Sequence, residues 1–330
     1  MNTTPTSFQS VLDALLSDRS EFPRRYLQQF SDLGARELKD LLDVWPRVKL
    51  SRKLSLLEEL DTLAETDTLV SFDDFGRALL TDPDPEVRTR AIRLLDECED
   101  PKIVPSYLDM LQNDPDVNVR MEAARALSLF VDLGELEEIS PSMYRQVEDA
   151  LLASANSEDD LRVRRAALES LGFSSRPEVA TLIESAFHRE DPAWQASSLV
   201  AMGRSADERW GEIVTRSLVH ENNRIRKAAV QAAGELSLQP ARTVLLKMLG
   251  EEEDDRILSS VIWSLSQIGG EDVRTYLENL LDQVEDDEQI AFLEEALDNL
   301  AFTEDLDRFD LLAVDPEDEL SPIDEDEEEK

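Results

Sequence analysis

The chain has 330 residues, and its 34 Lys and Arg stand against 74 Asp and Glu, a net charge of −40. Hydrophobic residues make up 41% and glycines number only 10, so the composition supplies a packed helical core and disfavours glycine-rich nucleotide folds and most β-sandwiches. The charge argues against direct contact with a phosphate backbone, and the single Cys98 excludes an internal disulfide framework and a cysteine-based zinc site.

In chain order, the opening MNTTPTSFQSVLDALL lacks both a charged start and an unbroken apolar stretch. It does not read as a signal peptide, and no run approaches the roughly 20 apolar residues that span a bilayer. The expectation is a soluble cytoplasmic protein. Three apolar stripes at helical spacing follow: Phe8 to Leu16, Leu38 to Trp45, and Leu50, Leu54, Leu57 and Leu60. Residues 1–69 are therefore expected to form a helical N-terminal cap or divergent repeats. Within them, residues 21–55 are locally basic, including Arg24, Arg25, Arg52 and Lys53, and read as a solvated face.

From about residue 70 a short pattern recurs. An acid or amide is followed three residues on by a β-branched or aromatic anchor, often with Arg next. The copies begin at Asp84, Asp116, Asp160, Asp191, Asn222 and Asp254, with a degenerate one at Asp286. Their anchors Val87, Val119, Val163, Trp194, Ile225, Ile257 and Gln289 are spaced by 32, 44, 31, 31, 32 and 32 residues. The leading residue reads as an N-cap, and Pro85 and Pro192 sit where a missing N–H does no harm. Offsets 0, +4, +5 and +8, for example Val163, Ala167, Leu168 and Leu171, form a buried stripe. Gly172, Gly203 and Gly234 at +9 are expected to end or loosen each helix. A second apolar stretch follows each copy, so each unit is a helix pair. The long spacing comes from residues 127–143, which predict an extra turn or loop.

These residues resemble the HEAT-repeat family, specifically the short bacterial subclass with a D-x-x-V-R signature that includes the HEAT-like repeats of phycobilisome lyases. The resemblance covers about residues 70–302. It implies an all-α fold, a right-handed α-solenoid or superhelix of stacked antiparallel helix pairs, with the second helix of each pair lining a concave side. Gln195 and Leu258 depart from the signature at the Arg position. From Thr303 the pattern stops, and residues 303–330 carry 14 acids against Arg308 and Lys330, which predicts a largely disordered acidic tail.

Catalytic patterns are absent: no Walker loop, G-x-G-x-x-G, H-E-x-x-H or G-x-S-x-G occurs. His188 and His220 fall in corresponding turns and read as solvated. Cys98 lies in an acidic turn that raises a thiol pKa. The repeat arginines Arg88, Arg120, Arg164 and Arg226 read as structural partners of capping carboxylates. No cofactor and no metal are expected.

Offsets +2 and +6 point away from the buried stripe. They read Thr89/Arg93, Met121/Arg125, Arg165/Glu169, Ala196/Val200, Lys227/Gln231 and Ser259/Trp263. Bases and apolar groups along one face of so acidic a chain mark a candidate partner-binding row: Arg93, Arg125, Arg165, Val200, Lys227 and Trp263. A weaker candidate is the loop Met202–Trp210, with Arg204, Arg209 and Trp210. The leading expectation is a monomeric, non-enzymatic scaffold that binds a protein segment of acidic and apolar character. The tail's own Phe309, Leu311, Leu312 and Val314 have that character and are expected to compete for the groove. Two alternatives stand beside it: a bilin lyase-like enzyme or accessory protein, implied by the resemblance, and an acidic mimic of nucleic acid or chaperone of a basic protein.

Overall fold

The computed structural model describes residues 8–17 and 21–312, with side chains to 305. Among the described residues there are seventeen α-helices, six short 3-10 segments and no strand. The fold class is an all-α solenoid of stacked helix pairs. Contacts divide the chain into two units, Met1–Ala201 and Met202–Lys330.

The first unit opens with α1 (Phe8–Leu16), α2 (Ala35–Val44) and α3 (Leu50–Thr66). Val11, Leu12, Leu15, Leu41 and Trp45 are buried as their stripes predict. The third stripe is rotated. Leu50 is exposed, and Lys53, Leu56, Leu57 and Leu60 face inward. Lys53, expected on a solvated face, instead donates to Asp82 Oδ2 at 3.0 Å, and Trp45 Nε1 donates to the same oxygen at 2.7 Å. Burial alone would raise the Asp82 pKa. The donors from the Asp84 backbone, Lys53 and Trp45 outweigh it and hold the carboxyl below its ordinary value.

The pairs follow as α4 (Asp73–Leu79) with α5 (Pro85–Arg93), α6 (Val104–Asn113) with α7 (Val117–Glu135), and α8 (Pro141–Ala155) with α9 (Leu161–Ser170). Next come α10 (Pro177–Phe187) and α11 (Pro192–Arg204). The second unit contains α12 (Gly211–Ser217), α13 (Asn223–Glu235), α14 (Arg242–Glu251), α15 (Asp255–Ile268), α16 (Glu271–Leu281) and α17 (Asp287–Leu312). Each signature residue caps its helix: the side chains of Asp84, Asp116, Asp160, Asp191, Asn222, Asp254 and Asp286 all accept a first-turn backbone N–H. Val163, Ala167, Leu168 and Leu171 are fully buried, as are Ala229, Val230 and Ala233. A large aliphatic side chain in such a position stabilises by about 1.5–3 kcal/mol relative to exposure.

Gly172, Gly203 and Gly234 lie at or just past the ends of their helices, as expected, and two of them do more. Gly234 lies inside α13, and a Cβ there would stand 2.8 Å from Ser264 Cα. A Cβ on Gly203 would stand 2.9 Å from Ala232 Cα. Both glycines admit close backbone approach. Small hydroxyls do related work: Ser170 Oγ donates to Ala124 O and Ser264 Oγ to Val230 O, each at 2.8 Å, tying α9 to α7 and α15 to α13.

The insertion at 127–143 lengthens α7 to nineteen residues rather than making a free loop. Tyr144 covers Gly134, its hydroxyl donates to Glu135, and Glu135 also accepts the Ser175 N–H at 2.6 Å. At the other end, α17 runs through Thr303 to Leu312, so the acidic segment begins inside a helix, and Glu304 pairs with Arg274 at 2.6 Å. Residues 313–330 lie outside the described residues, as do the side chains of Phe309, Leu311, Leu312 and Val314 on which tail docking depends.

Arginines fasten successive signature helices. Arg88 binds Asp114 through two hydrogen bonds, 2.9 and 2.8 Å, while its Nη1 donates to the carbonyls of Asp82 and Pro83. Arg120 holds Asp159 at 2.8 and 2.6 Å, and Arg226 holds Glu252 at 2.8 and 2.9 Å, each again with two carbonyls preceding its own helix. The carboxylates in turn accept the backbone N–H of the next N-cap residue, Asp116, Asp160 or Asp254. One guanidinium therefore joins the entrance of one signature helix to the entrance of the next. This is the structural role expected for Arg88, Arg120 and Arg226. Arg164 differs: its Nε donates to Ala155 O at 3.2 Å and its guanidinium lies over Trp194, 5.5 Å from the ring centre.

Candidate partner-binding row

The +2 and +6 positions of the signature helices divide into two groups. In the first unit most are committed to the protein itself. Arg93 Nε donates to Glu122 Oε1 at 2.9 Å, and Arg125 Nη1 reaches Glu122 Oε2 at 3.3 Å. Glu122 is buried, and both arginines remain about half exposed. Arg93 also lines a notch with Asp61, Glu65 and Asp96, so acids surround its charge. Burial, then the neighbouring Glu65, raises the Asp61 carboxyl above its ordinary range. Thr89 turns its hydroxyl back to Pro85 O at 2.9 Å. Ala196 is buried, which removes it from the row: α11 is sunk more deeply than the repeat register predicts, with Ser197 and Ser198 buried as well. Ser197 Oγ donates to Glu169. Arg165 and Val200 are half-buried.

In the second unit the row opens. Lys227 and Trp263 are half-buried, and Gln231 and Ser259 are exposed. Trp263 lines a crevice of about 360 Å3 together with Gln231, Glu235, Gln267 and Phe292. The indole is neither a free surface residue nor a core residue, because Phe292 on α17 covers one side of the crevice. Burial raises the Glu235 pKa, and Arg204 partly offsets this. Gln231 was read at its +6 offset but not chosen as a site residue, and Glu235 and Gln267 carry no signal in the +2/+6 pattern. They fall at +10 of their helices, one turn further along the face already read at +2 and +6.

The Met202–Trp210 loop offers less than expected. Trp210 is 5% exposed and begins the packed segment that leads into α12. Arg209 pairs with Asp207 and lies over the Trp210 ring at 5.8 Å. Arg204 is half-buried. An aromatic at the start of an apolar stripe is core, and the loop presents no exposed anchor.

Other candidate groups have structural partners. Cys98 is buried. Desolvation, with a hydrogen bond to Asp73, raises its thiol pKa, and Arg77 Nη2 stands 3.1 Å from its sulfur. His220 Nδ1 accepts the Asn222 N–H at 3.0 Å, and His188 packs edge-on to Phe187. Among the described residues no group of three His, Cys, Asp or Glu is arranged to hold a metal ion, and no helix is long and apolar enough to cross a membrane.

No curated protein matches the chain by sequence. Among solved structures, the complex of CpcE and CpcF of phycocyanin lyase from Nostoc sp. PCC7120 aligns at 16% identity with a TM-score of 0.51, over 91% of this chain and 99% of that one. Human deoxyhypusine hydroxylase in complex with glycerol aligns at 16% identity and TM-score 0.34, over 79% of this chain and 95% of that one. Kap121p bound to Ste12p aligns at 15% identity and TM-score 0.43, over 89% of this chain and 37% of that one. At these identities the likeness to the lyase complex concerns the fold. The HEAT-repeat model matches residues 73–172, 179–257 and 216–298. With most of its length covered by that model, and with the capped helix pairs described above, the chain belongs to the HEAT-repeat family.

Proposed function

We propose that the chain is a non-enzymatic scaffold that holds an extended segment of a partner protein along the +2/+6 row of its second unit, with its main anchor at Trp263. The observation that carries this is the crevice of about 360 Å3 walled by Trp263 and Phe292 and edged by the amides of Gln231 and Gln267. An apolar partner side chain gains from burial between two aromatic groups. Side-chain amides both donate and accept, which suits the backbone of an extended peptide. Lys227 then favours an acid in the partner beside the apolar group, while Glu235 disfavours one inside the crevice.

The test places a photo-crosslinking residue at Ser259 and uses native-host extract. Trp263→Ala is expected to lower the crosslinked yield of a discrete partner by about tenfold or more, in line with loss of an aromatic anchor, with unchanged helicity. Equal yield from Trp263→Ala and the parent contradicts the proposal. So does capture of basic proteins alone, lost in moderate salt, which is the behaviour of an acidic decoy.

A further inference from the structure

The junction at Trp194 breaks the fastening rule that its neighbours follow, and the break has a chemical direction. Two residues before the N-cap, the other fastened junctions place Asp114 or Glu252, and one residue before it Asp159. Each carboxylate receives a guanidinium from the preceding signature helix through two hydrogen bonds. Two copies lack the arginine: Gln195 is followed by His220 two before the next cap and Glu221 one before it, and Leu258 by Val284 and Glu285. The Arg164 junction keeps the arginine but carries a second one, Arg189, two before Asp191, and Glu190, one before that cap, forms no ion pair with Arg164 among the described residues. The Arg189 guanidinium lies 4.1 Å from the Trp194 ring centre and that of Arg164 lies 5.5 Å from it. Trp194 is 3% exposed, a fixed floor beneath both. Among the described residues neither guanidinium has a carboxylate within ion-pair distance, in a protein with 74 acids.

We infer that Arg164 and Arg189, seated together on Trp194, form a binding site for a carboxylate side chain of a partner polypeptide. The stacked ring holds both guanidiniums in place, and a planar carboxylate is the group that the same arginine grips at three other junctions. An incoming carboxylate also relieves the mutual repulsion of the two cations. The site lies at the entrance of a signature helix and does not depend on the Trp263 reading.

The test uses the full chain with the arginine Nε–H groups observed by NMR, titrated with an N-acetylated, C-amidated hexaglutamate peptide in roughly 50 mM salt to limit screening. The Arg164 and Arg189 signals are expected to move together and saturate, while Arg256, 85% exposed beside Asp254, stays in place. Arg189→Gln is expected to weaken the response about tenfold, the loss of one charge-assisted contact. Arg189→Glu restores the carboxylate of the other junctions. It is expected to abolish the response and raise the melting temperature by about 2 °C. Signals that do not move, or move no more than Arg256, overturn the site. A response to inorganic phosphate that saturates first and excludes hexaglutamate overturns the assignment to a carboxylate partner. Loss of the response in Arg189→Glu without any rise in melting temperature removes the comparison with the fastened junctions on which the inference stands.

Discussion

The Arg88–Asp114 and Arg164–Trp194 junctions begin from the same local pattern and end differently. Both arginines follow a buried valine in the first turn of a capped helix. Arg88 meets a carboxylate twenty-six residues later and becomes a buried, doubly hydrogen-bonded pair. Arg164 has Glu190 at that spacing but pairs with no carboxylate among the described residues; with Arg189, two before the next cap, it settles on an indole. The signature thus specifies the helix and its cap by itself. It does not specify the fastening, which depends on a second residue outside the pattern. A carboxylate paired with the signature arginine couples neighbouring repeats, and a guanidinium without one leaves a charged surface.

Substitutions break this contrast in a graded way. Lys53→Met gives the largest expected effect, because it leaves Asp82 buried with fewer donors. Stability to denaturant is expected to fall by about 3–5 kcal/mol, the range for removing one partner of a buried pair. Arg88→Met is expected to cost about 3 kcal/mol for the same reason, whereas Arg164→Met costs about 1 kcal/mol, as for a half-buried cation–π contact. If the two arginines give equal losses, the distinction between the junctions is wrong. Gly234→Val pushes a branched side chain against Ser264 and is expected to cost about 1–3 kcal/mol by overpacking. A neutral result would leave that glycine only its place at the end of α13.

Acid sharpens the same comparison. Hydrogen bonds from Arg120 and Arg226 are the first cause that holds the Asp159 and Glu252 carboxyls below their ordinary values. A carboxylate depressed in the folded state stabilises fully above its unfolded pKa, about 4. That contribution is lost as pH falls through the lower, folded value. Denaturant midpoints measured downward from pH 6 should decline below about pH 4 in the parent and decline less in Arg226→Met. Identical slopes would detach these pairs from stability.

Much of the fold was legible because caps and stripes are local. Seven leading residues cap seven helices, and the offsets 0, +4, +5 and +8 of the copies beginning at Asp160 and Asn222 are buried. The depth at which a helix sits is set by its neighbours, and there the reading failed: Ala196 is covered, Lys53 is buried and Trp210 is core. The carboxylates that fasten the array were readable and were passed over. Asp82-Pro-Asp84 and Asp114-Pro-Asp116 repeat an acid two residues before the cap, and Glu252 precedes Asp254 in the same way. Trp263 stands out in the sequence as unlike its repeat equivalents, but its crevice is lined also by Phe292 from the next repeat, which no periodicity announces.

Fastening and binding fall to different residues, and one paired measurement tests that separation. Partner crosslinking and denaturant stability are measured side by side for Trp263→Ala and Arg226→Met at a temperature where both are folded. Trp263→Ala should lose the partner while keeping stability within about 1.5 kcal/mol of the parent, as for a half-buried side chain. Arg226→Met should lose about 3 kcal/mol and keep the partner. Retention of the partner by Trp263→Ala, or its loss in both variants, would contradict the account.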